Sequence, residues 1–96
     1  MTIAEFQRLI ERTYFERDSA RGAGGTFMWF IEEVGELATA LREGDRDAMK
    51  DEFADVFAWL VTLASMCGIE MEDAALKYAD GCPGCKKMPC ECSEKG

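Results

Sequence analysis

Two pairs of acidic residues, each with its members three positions apart, constrain the fold more than any other feature of this chain. Glu33 and Glu36 form the first pair, and Glu52 and Asp55 form the second. Residues three apart lie on the same face of an α-helix, so each pair directs two carboxylates the same way. Both pairs border apolar helix faces, where unpaired negative charge is costly. A shared divalent cation would remove that cost, and carboxylate oxygens suit Mg²⁺ or Mn²⁺.

The acidic pairs also have a simpler interpretation, as charges on the solvated face of amphipathic helices. One pair alone would favour that interpretation, because acidic residues are common on exposed helix faces. However, no Lys or Arg follows Glu33, Glu36 or Glu52 one turn further along the chain, where an ion pair would be expected. Two such pairs on neighbouring helices therefore favour a metal site.

Hydrophobic spacing predicts an all-α fold, and strand-like alternation is absent from the sequence. The expected architecture is a four-helix bundle, with helices at about residues 3–19, 26–43, 46–67 and 70–79. Since only Gly44 and Asp45 separate the second helix from the third, these two should form an antiparallel hairpin. The two acidic pairs would then converge.

Several residues predict where these helices begin and end. Thr2 and Glu5 match a capping box at the start of the first helix. The glycine-rich segment 21–25 predicts a flexible connector or lid, followed by Thr26 as the N-cap of the second helix. Gly68 is the predicted C-cap of the third helix.

Length and composition restrict the possible functions. The 96 residues are expected to form one small domain, 1–81, followed by a cysteine-rich segment, 82–96. A net charge of −8 argues against a nucleic acid polymer as the partner. The absence of histidine excludes catalytic triads that contain histidine and zinc sites with histidine ligands. No apolar run reaches the roughly 20 residues of a membrane span, so a cytoplasmic protein with no membrane partner is expected.

A tryptophan accompanies each acidic pair. Trp29 lies one turn before Glu33, and Trp59 lies one turn after Asp55, on the acidic side of each helix. The two indoles could stack on a nucleobase, because a planar aromatic face accepts any base. The alternative is ordinary packing in the core, which is the usual role of aromatic residues at helical spacing.

The acidic pattern resembles the EExxE…ExxD signature of MazG-type nucleotide pyrophosphohydrolases, of the all-α NTP pyrophosphatase superfamily. Residues 32–36 match its first part, and residues 52–55 follow after fifteen residues. Residues 60–64 and 68–72 also resemble the continuation of the family, so that the similarity covers roughly 27–77.

This resemblance implies a magnesium-dependent enzyme that hydrolyses nucleoside triphosphates to the nucleoside monophosphate and pyrophosphate. The implied metal ligands are Glu33, Glu36, Glu52 and Asp55. Because the chain has no histidine, a carboxylate must accept the proton of the attacking water. Glu32 is the candidate base, although a metal ligand could serve instead, or Glu32 could be a solvated surface residue.

The resemblance also bears on phosphate binding and on assembly. Lys77 lies where the family tends to keep a basic residue, while Lys50, Arg17 and Arg21 are further candidate cations for the phosphates. Each of these could equally be an ordinary surface charge. Short helices leave apolar faces that one chain cannot cover, and family members place their sites near subunit contacts, so a homodimer or homotetramer is expected.

The cysteine-rich segment contains a C-x₂-C-x₄-C-x-C pattern formed by Cys82, Cys85, Cys90 and Cys92. Four thiolates in so short a segment can form a tetrahedral zinc site. Disulfides, a redox switch or an iron–sulfur cluster remain alternatives. Cys67, at a predicted helix end, is expected to be a packing thiol.

Two other functions remain open from the sequence. The chain could be a non-catalytic helical interaction module that a Cys₄ zinc site stabilises. It could also be a carboxylate-bridged di-iron bundle, although the Glu-x-x-His ligands typical of such bundles are absent.

Overall fold

A computed structural model describes residues 1–93 of the chain, and these residues form helices and turns without any strand. Helix α1 covers Ile3–Glu43, α2 covers Arg46–Met66 and α3 covers Met71–Ala75, followed by a short 3₁₀ helix at Leu76–Tyr78. The all-α prediction is confirmed. The predicted four-helix count is not, because the first two predicted helices form one kinked element within the described residues.

The start of α1 follows the predicted capping box. The backbone N–H of Glu5 donates to Thr2 Oγ1 at 3.0 Å, and the backbone N–H of Thr2 donates to Glu5 Oε1 at 2.8 Å. The hydrogen bond from the Thr2 backbone lowers the pKa of Glu5. Two otherwise unpaired donors at the helix end are thereby satisfied.

Gly22 provides the only break inside α1, with φ of 80° and ψ of 168°. This conformation is open almost only to glycine, so one residue takes up the change of direction. The prediction of a non-helical connector over 21–25 is therefore wrong except at Gly22. The predicted N-cap role of Thr26 is also wrong, because Thr26 is buried inside the helix, where its hydroxyl donates to the Gly22 carbonyl at 2.8 Å.

Helix α2 has well-defined ends. Asp45 caps its start by accepting from the backbone N–H groups of Asp47 and Ala48. Its C-cap is Cys67, and Gly68 follows in the left-handed region with φ of 71°. The predicted C-cap was therefore placed one residue too far along the chain. Hydrogen bonds from Gly68 to the Ser65 carbonyl and from Ile69 to the Ala64 carbonyl complete a Schellman motif.

Gln7 joins α1 to the α2–α3 junction. Its side-chain amide donates to Ser65 Oγ and to the Ile69 carbonyl, both at 2.9 Å, and its carbonyl accepts from the Met71 backbone N–H at 2.9 Å. Gln7 is fully buried, so its amide replaces hydrogen bonds that water would otherwise make. Next to Gln7, Arg8 Nη2 forms a partly exposed ion pair with Glu70 Oε2 at 2.6 Å.

The apolar core of a single chain is small. Ala40 and Val61 are the only buried apolar side chains among the described residues. Phe6 and Phe57 stack on each other, with their ring centroids 4.8 Å apart. A set of large apolar side chains at helical spacing, here called the apolar stripe, remains at least 37% exposed: Phe27, Ile31, Val34 and Leu41 on α1, and Phe53, Phe57 and Leu60 on α2. Large exposed apolar faces of this kind mark interaction surfaces.

Within residues 1–93, no single helix combines the length and apolar character needed to cross a membrane. Helix α2 and the segment Met71–Tyr78 meet that criterion only as a pair, which is bent by 107°.

Candidate functional site: an acidic centre beside a stacked tryptophan pair

The α1–α2 hairpin brings three of the predicted ligands together. Glu33 and Glu36 on α1 and Glu52 on α2 each offer one carboxylate oxygen, and these three oxygens lie within 4.8 Å of one another. We call this group the acidic centre. Gly44, with φ of 75°, ends α1 and lets the chain reverse, which places the two helices side by side.

The acidic centre contains unpaired polar atoms. Glu33 Oε2 and Glu52 Oε2 are both buried and have no hydrogen-bond partner. Buried carboxylate oxygens without a partner are costly, and a cation bound between them would remove the cost. The donor set of three carboxylates on two helices therefore fits a hard divalent ion.

The electrostatics of the acidic centre agree with this geometry. Burial, together with the negative charges of Glu36, Asp55 and Glu52, raises the pKa of Glu33 to about 7. Burial likewise raises the pKa of Glu52, followed by the charge of Glu36. Both carboxyls thus retain protons at a higher pH than usual, as expected where like charges crowd without a counterion.

Asp55 lies near the acidic centre but is not one of its three members. Its charge contributes to the raised pKa values of both Glu33 and Glu52. Its side chain is exposed and lines a neighbouring cavity. Its role as a metal ligand therefore remains a prediction.

Glu32 precedes Glu33 in α1 and is exposed. It does not belong to the acidic centre, and its predicted role as the base likewise remains a prediction.

Trp29 and Trp59 stack on each other next to the acidic centre. Their ring centroids are 6.1 Å apart, and their planes differ by 11°. Trp29 remains 47% exposed, so this pair is accessible from outside. Neither simple core packing nor a free stacking platform describes this arrangement, because each indole already contacts the other.

Arg21 covers the other tryptophan of the pair. Its guanidinium carbon lies 4.7 Å from the centroid of the Trp59 ring, a cation–π arrangement. Nη1 of Arg21 donates to Asp18 Oδ1 and to Thr26 Oγ1, both at 3.0 Å. A Cβ atom at Gly25 would lie 2.8 Å from Arg21 Cγ, so glycine there leaves room for this side chain. The guanidinium is thus held in one orientation by Asp18, Thr26 and Trp59.

Asp18 is a residue of this region that the sequence analysis did not single out. It is buried and forms an ion pair with Arg21, one of the basic residues that the sequence offered as candidates for phosphate binding. The three-residue spacing between them was the available signal, since such pairs are neighbours on a helix.

A cavity of about 220 Å³ lies beside the Arg21–Trp59 pair, and Asp55 also lines it. Among the residues that line it are Tyr14, Arg17, Asp18, Arg21, Asp55 and Trp59. A second cavity, of about 540 Å³, shares Asp18 and Thr62 with the first. Together they form a concave surface with cationic and aromatic groups next to acidic ones.

Lys77 lies in the 3₁₀ helix, with Nζ 5.7 Å from the centroid of the Tyr78 ring. Within residues 1–93, no hydrogen bond or ion pair joins Lys77 to the acidic centre. Its predicted role in phosphate binding therefore remains untested.

The predicted cysteine cluster is present at the other end of the chain. Sulfur atoms of Cys82, Cys85, Cys90 and Cys92 all lie within 4.8 Å of one another. Cys67 lies outside this cluster and is exposed, so its predicted role as a buried packing thiol is wrong. Residues 94–96 of the predicted cysteine-rich segment lie outside the described residues.

An all-helical hairpin with converging carboxylates from both helices forms a site of the class that can bind a divalent cation. In a comparison with protein families, the MazG nucleotide pyrophosphohydrolase domain matches residues 24–86, well over half of the chain. The chain belongs to this family. The matched region includes the acidic centre, both tryptophans and the first two cysteines of the cluster, and it ends before Cys90. No curated protein matches the chain.

Proposed function

We propose that this protein hydrolyses nucleoside triphosphates to nucleoside monophosphates and pyrophosphate in a magnesium-dependent reaction. The observation that carries the proposal is the convergence of Glu33, Glu36 and Glu52, two of which bury an oxygen without a partner. Membership of the MazG family supports the hydrolase class. The magnesium requirement and the substrate are the parts of the proposal that need experiment.

The residues that would hold the ion are Glu33, Glu36 and Glu52. We assign Asp55, one turn further along α2, as a fourth ligand. When bound, a divalent ion neutralises phosphate charge and lowers the pKa of coordinated water. The buried oxygens of Glu33 and Glu52 fit this role, since a cation would supply the partner they lack.

The reaction breaks the P–O bond between the α- and β-phosphates, with a water molecule adding to the α-phosphorus. The proton of that water needs a carboxylate acceptor, because the sequence contains no histidine. We assign this role to Glu32, which is exposed beside the acidic centre. One of the metal ligands is the alternative acceptor.

The groups next to the acidic centre suit the other parts of a nucleotide. Trp29, which stacks on Trp59 and remains 47% exposed, provides aromatic surface for a base, and stacking of this kind does not depend on base identity. Arg21, together with Arg17 in the same cavity, provides positive charge for phosphate oxygens. Lys77 is a further candidate for phosphate contact.

We also propose that the active form is a homodimer or homotetramer. The support is the apolar stripe, whose side chains remain exposed while only Ala40 and Val61 are buried apolar residues among those described. A second copy of the same hairpin would cover the stripe with matching apolar side chains.

The test is a panel of nucleoside triphosphates incubated with the protein and Mg²⁺, with identification of both products. We expect pyrophosphate and the monophosphate from at least one substrate, and loss of turnover when Mg²⁺ is chelated. Glu36→Gln and Asp55→Asn should lower kcat by about a hundredfold or more. Glu43→Gln, at the exposed end of α1, is the matched control and should retain activity.

Two results would contradict the proposal. Full activity in both Glu36→Gln and Asp55→Asn would eliminate the assigned metal site. No turnover across the whole panel would instead favour the non-catalytic interaction module.

A further inference from the structure

The cysteine cluster lies outside the acidic centre and takes no part in the proposed hydrolysis. We propose that Cys82, Cys85, Cys90 and Cys92 bind one Zn²⁺ ion as a closed, structural tetrathiolate site. The observation behind this is the arrangement of the four sulfurs, which all lie within 4.8 Å of one another.

The sulfur–sulfur distances fit one tetrahedral ion. Cys82 Sγ lies 3.7 Å from Cys92 Sγ, and Cys85 Sγ lies 3.9 Å from Cys90 Sγ. A Zn–S bond of about 2.3 Å in a regular tetrahedron places its sulfurs about 3.8 Å apart. The two distances are those of opposite tetrahedron edges, and both are far longer than the roughly 2.05 Å of a disulfide. A cluster of several iron atoms would need wider spacing, because its thiolates bind different irons.

The backbone around the cluster is shaped to bring the thiols together. The backbone N–H of Lys86 donates to the Cys82 carbonyl at 2.7 Å, and that of Cys82 donates to the Lys87 carbonyl at 3.0 Å. Gly81 has φ of 92°, and a Cβ there would lie 2.8 Å from the Lys87 carbonyl oxygen. A Cβ at Gly84 would lie 3.2 Å from Cys92 Sγ, so glycine allows the chain to approach the sulfurs closely.

Two backbone N–H groups point at the sulfurs. That of Glu91 donates to Cys85 Sγ at 3.3 Å, and that of Cys92 donates to Cys90 Sγ at 3.2 Å. Such donors stabilise thiolates and orient them toward a metal, as groups around a metal site commonly do. Lys86 and Lys87 add positive charge near what would be a doubly negative tetrathiolate centre.

The segment has little else to hold it in this conformation. Within residues 1–93, no hydrogen bond or ion pair joins residues 82–93 to α1, α2 or α3. Cys90 is exposed and Met88 is 82% exposed, so burial contributes little to its order. Fixing about a dozen residues without a core is entropically unfavourable, and metal binding is the usual compensation in segments this small. Four protein ligands leave no open coordination position, which makes the site structural and not catalytic.

The proposal is tested on the full chain, purified under reducing conditions without added metal. Elemental analysis should find about one zinc per chain in the wild-type protein. The double variant Cys82→Ser/Cys92→Ser should contain less than about a tenth of that amount, since two thiolates cannot hold the ion. Cys67→Ser is the matched control, because Cys67 is an exposed thiol outside the cluster, and it should keep its zinc.

A thiol count provides a second readout that does not require any variant. The chain has five cysteines, so the zinc-loaded protein should expose one rapidly reacting thiol, that of Cys67, to an aromatic disulfide reagent. All five should react once a chelator and denaturant are added. Circular dichroism of the double variant checks that α1 and α2 remain folded, so that zinc loss reports on the cluster alone.

Three results would overturn the proposal. One is rapid reaction of all five thiols without a chelator, in protein given a stoichiometric amount of Zn²⁺. Another is iron in place of zinc in the purified chain. The third is a single reactive thiol even after chelation and denaturation, which would show that the four cysteines form two disulfides. None of these measurements depends on nucleotide hydrolysis, so they leave the proposed enzymatic function untouched.

Discussion

The guanidinium of Arg21 lies over the indole of Trp59, with its carbon 4.7 Å from the ring centroid, and both residues line the cavity that Asp55 also lines. The hydrogen bonds from Arg21 to Asp18 and Thr26 hold the guanidinium in that position. A cation that is already oriented loses little entropy when it binds an anion. This arrangement makes Arg21 the strongest candidate among the basic residues for contact with a substrate phosphate.

Arg21→Lys should therefore weaken nucleotide binding. Lysine keeps the charge but loses the planar fork and the stack on Trp59, so we expect KM to rise about tenfold, equivalent to about 1.4 kcal/mol. Steady-state kinetics with the best substrate of the panel would measure it. Arg46→Lys, at the exposed start of α2, is the control, and an unchanged KM in Arg21→Lys would rule out this role.

Glu33→Gln should stabilise the metal-free protein while abolishing activity. The folded-state pKa of Glu33 is raised from 4.5 to about 7, so the folded protein binds more protons than the unfolded chain between these values. Wild-type stability attributable to this group therefore falls as pH rises through that window. The variant lacks this loss, so its advantage in melting temperature should grow from about pH 5 to about pH 8.

Excess Mg²⁺ should reverse that order, because an ion that binds the folded wild-type protein stabilises it and the variant has lost a ligand. Differential scanning fluorimetry with and without Mg²⁺ would detect both effects. An advantage of Glu33→Gln that does not change with pH would contradict the crowding of carboxylates in the acidic centre.

Gly22→Ala should destabilise the fold although nothing obstructs a Cβ atom at that position. No atom lies within 4 Å of such a Cβ, so the cost comes from the backbone at φ of 80°, where alanine is strained by about 1–3 kcal/mol. Gly24→Ala is the matched control. A Cβ atom at Gly24 would likewise have no atom within 4 Å, but Gly24 lies in regular helix. Alanine at that position should therefore stabilise the fold by about 0.5–1 kcal/mol.

Urea unfolding of both variants would measure the difference between Gly22 and Gly24. Equal effects of alanine at the two positions would mean that α1 is straight in solution.

Ile31→Asp should disrupt assembly, because it places a charge in the middle of the apolar stripe on α1. Ile31 is 48% exposed in a single chain, and a partner copy would bury it. We expect light scattering to report a mass close to the 10.7 kDa of one chain, or a loss of folded protein, where the wild type gives a multiple of that mass. Thr13→Asp adds the same charge at another exposed position of α1 and should leave the mass unchanged. A monomeric wild type would contradict the proposed oligomer.

Local patterns were sufficient to predict part of this structure. The capping box of Thr2 and Glu5 and the reversal at Gly44 depend on neighbouring residues only, and both are present. The convergence of Glu33, Glu36 and Glu52 required two rules, helical spacing and a short connection between antiparallel helices. No long-range information was needed, because the hairpin itself brings these residues together.

Other features depended on contacts that no local pattern contains. Helix formation through the glycines of 21–25 overrides their weak propensity, because packing of the two helices outweighs a cost of about 1 kcal/mol per glycine. The position of Arg21 over Trp59 joins residues on two different helices, and sequence alone offered several equivalent cations. The ligand role of Asp55 and the base role of Glu32 are likewise not decided by spacing.

The amide of Gln7 has a practical consequence for anyone who shortens the protein. The family match begins at residue 24, which would suggest that the first two dozen residues are dispensable. Yet Gln7 supplies the hydrogen bonds that close the turn between α2 and α3, far along the chain. A fragment trimmed to the matched boundary would leave the Ile69 carbonyl and the Met71 amide unpaired, so expression of the recognised domain alone should yield poorly folded material.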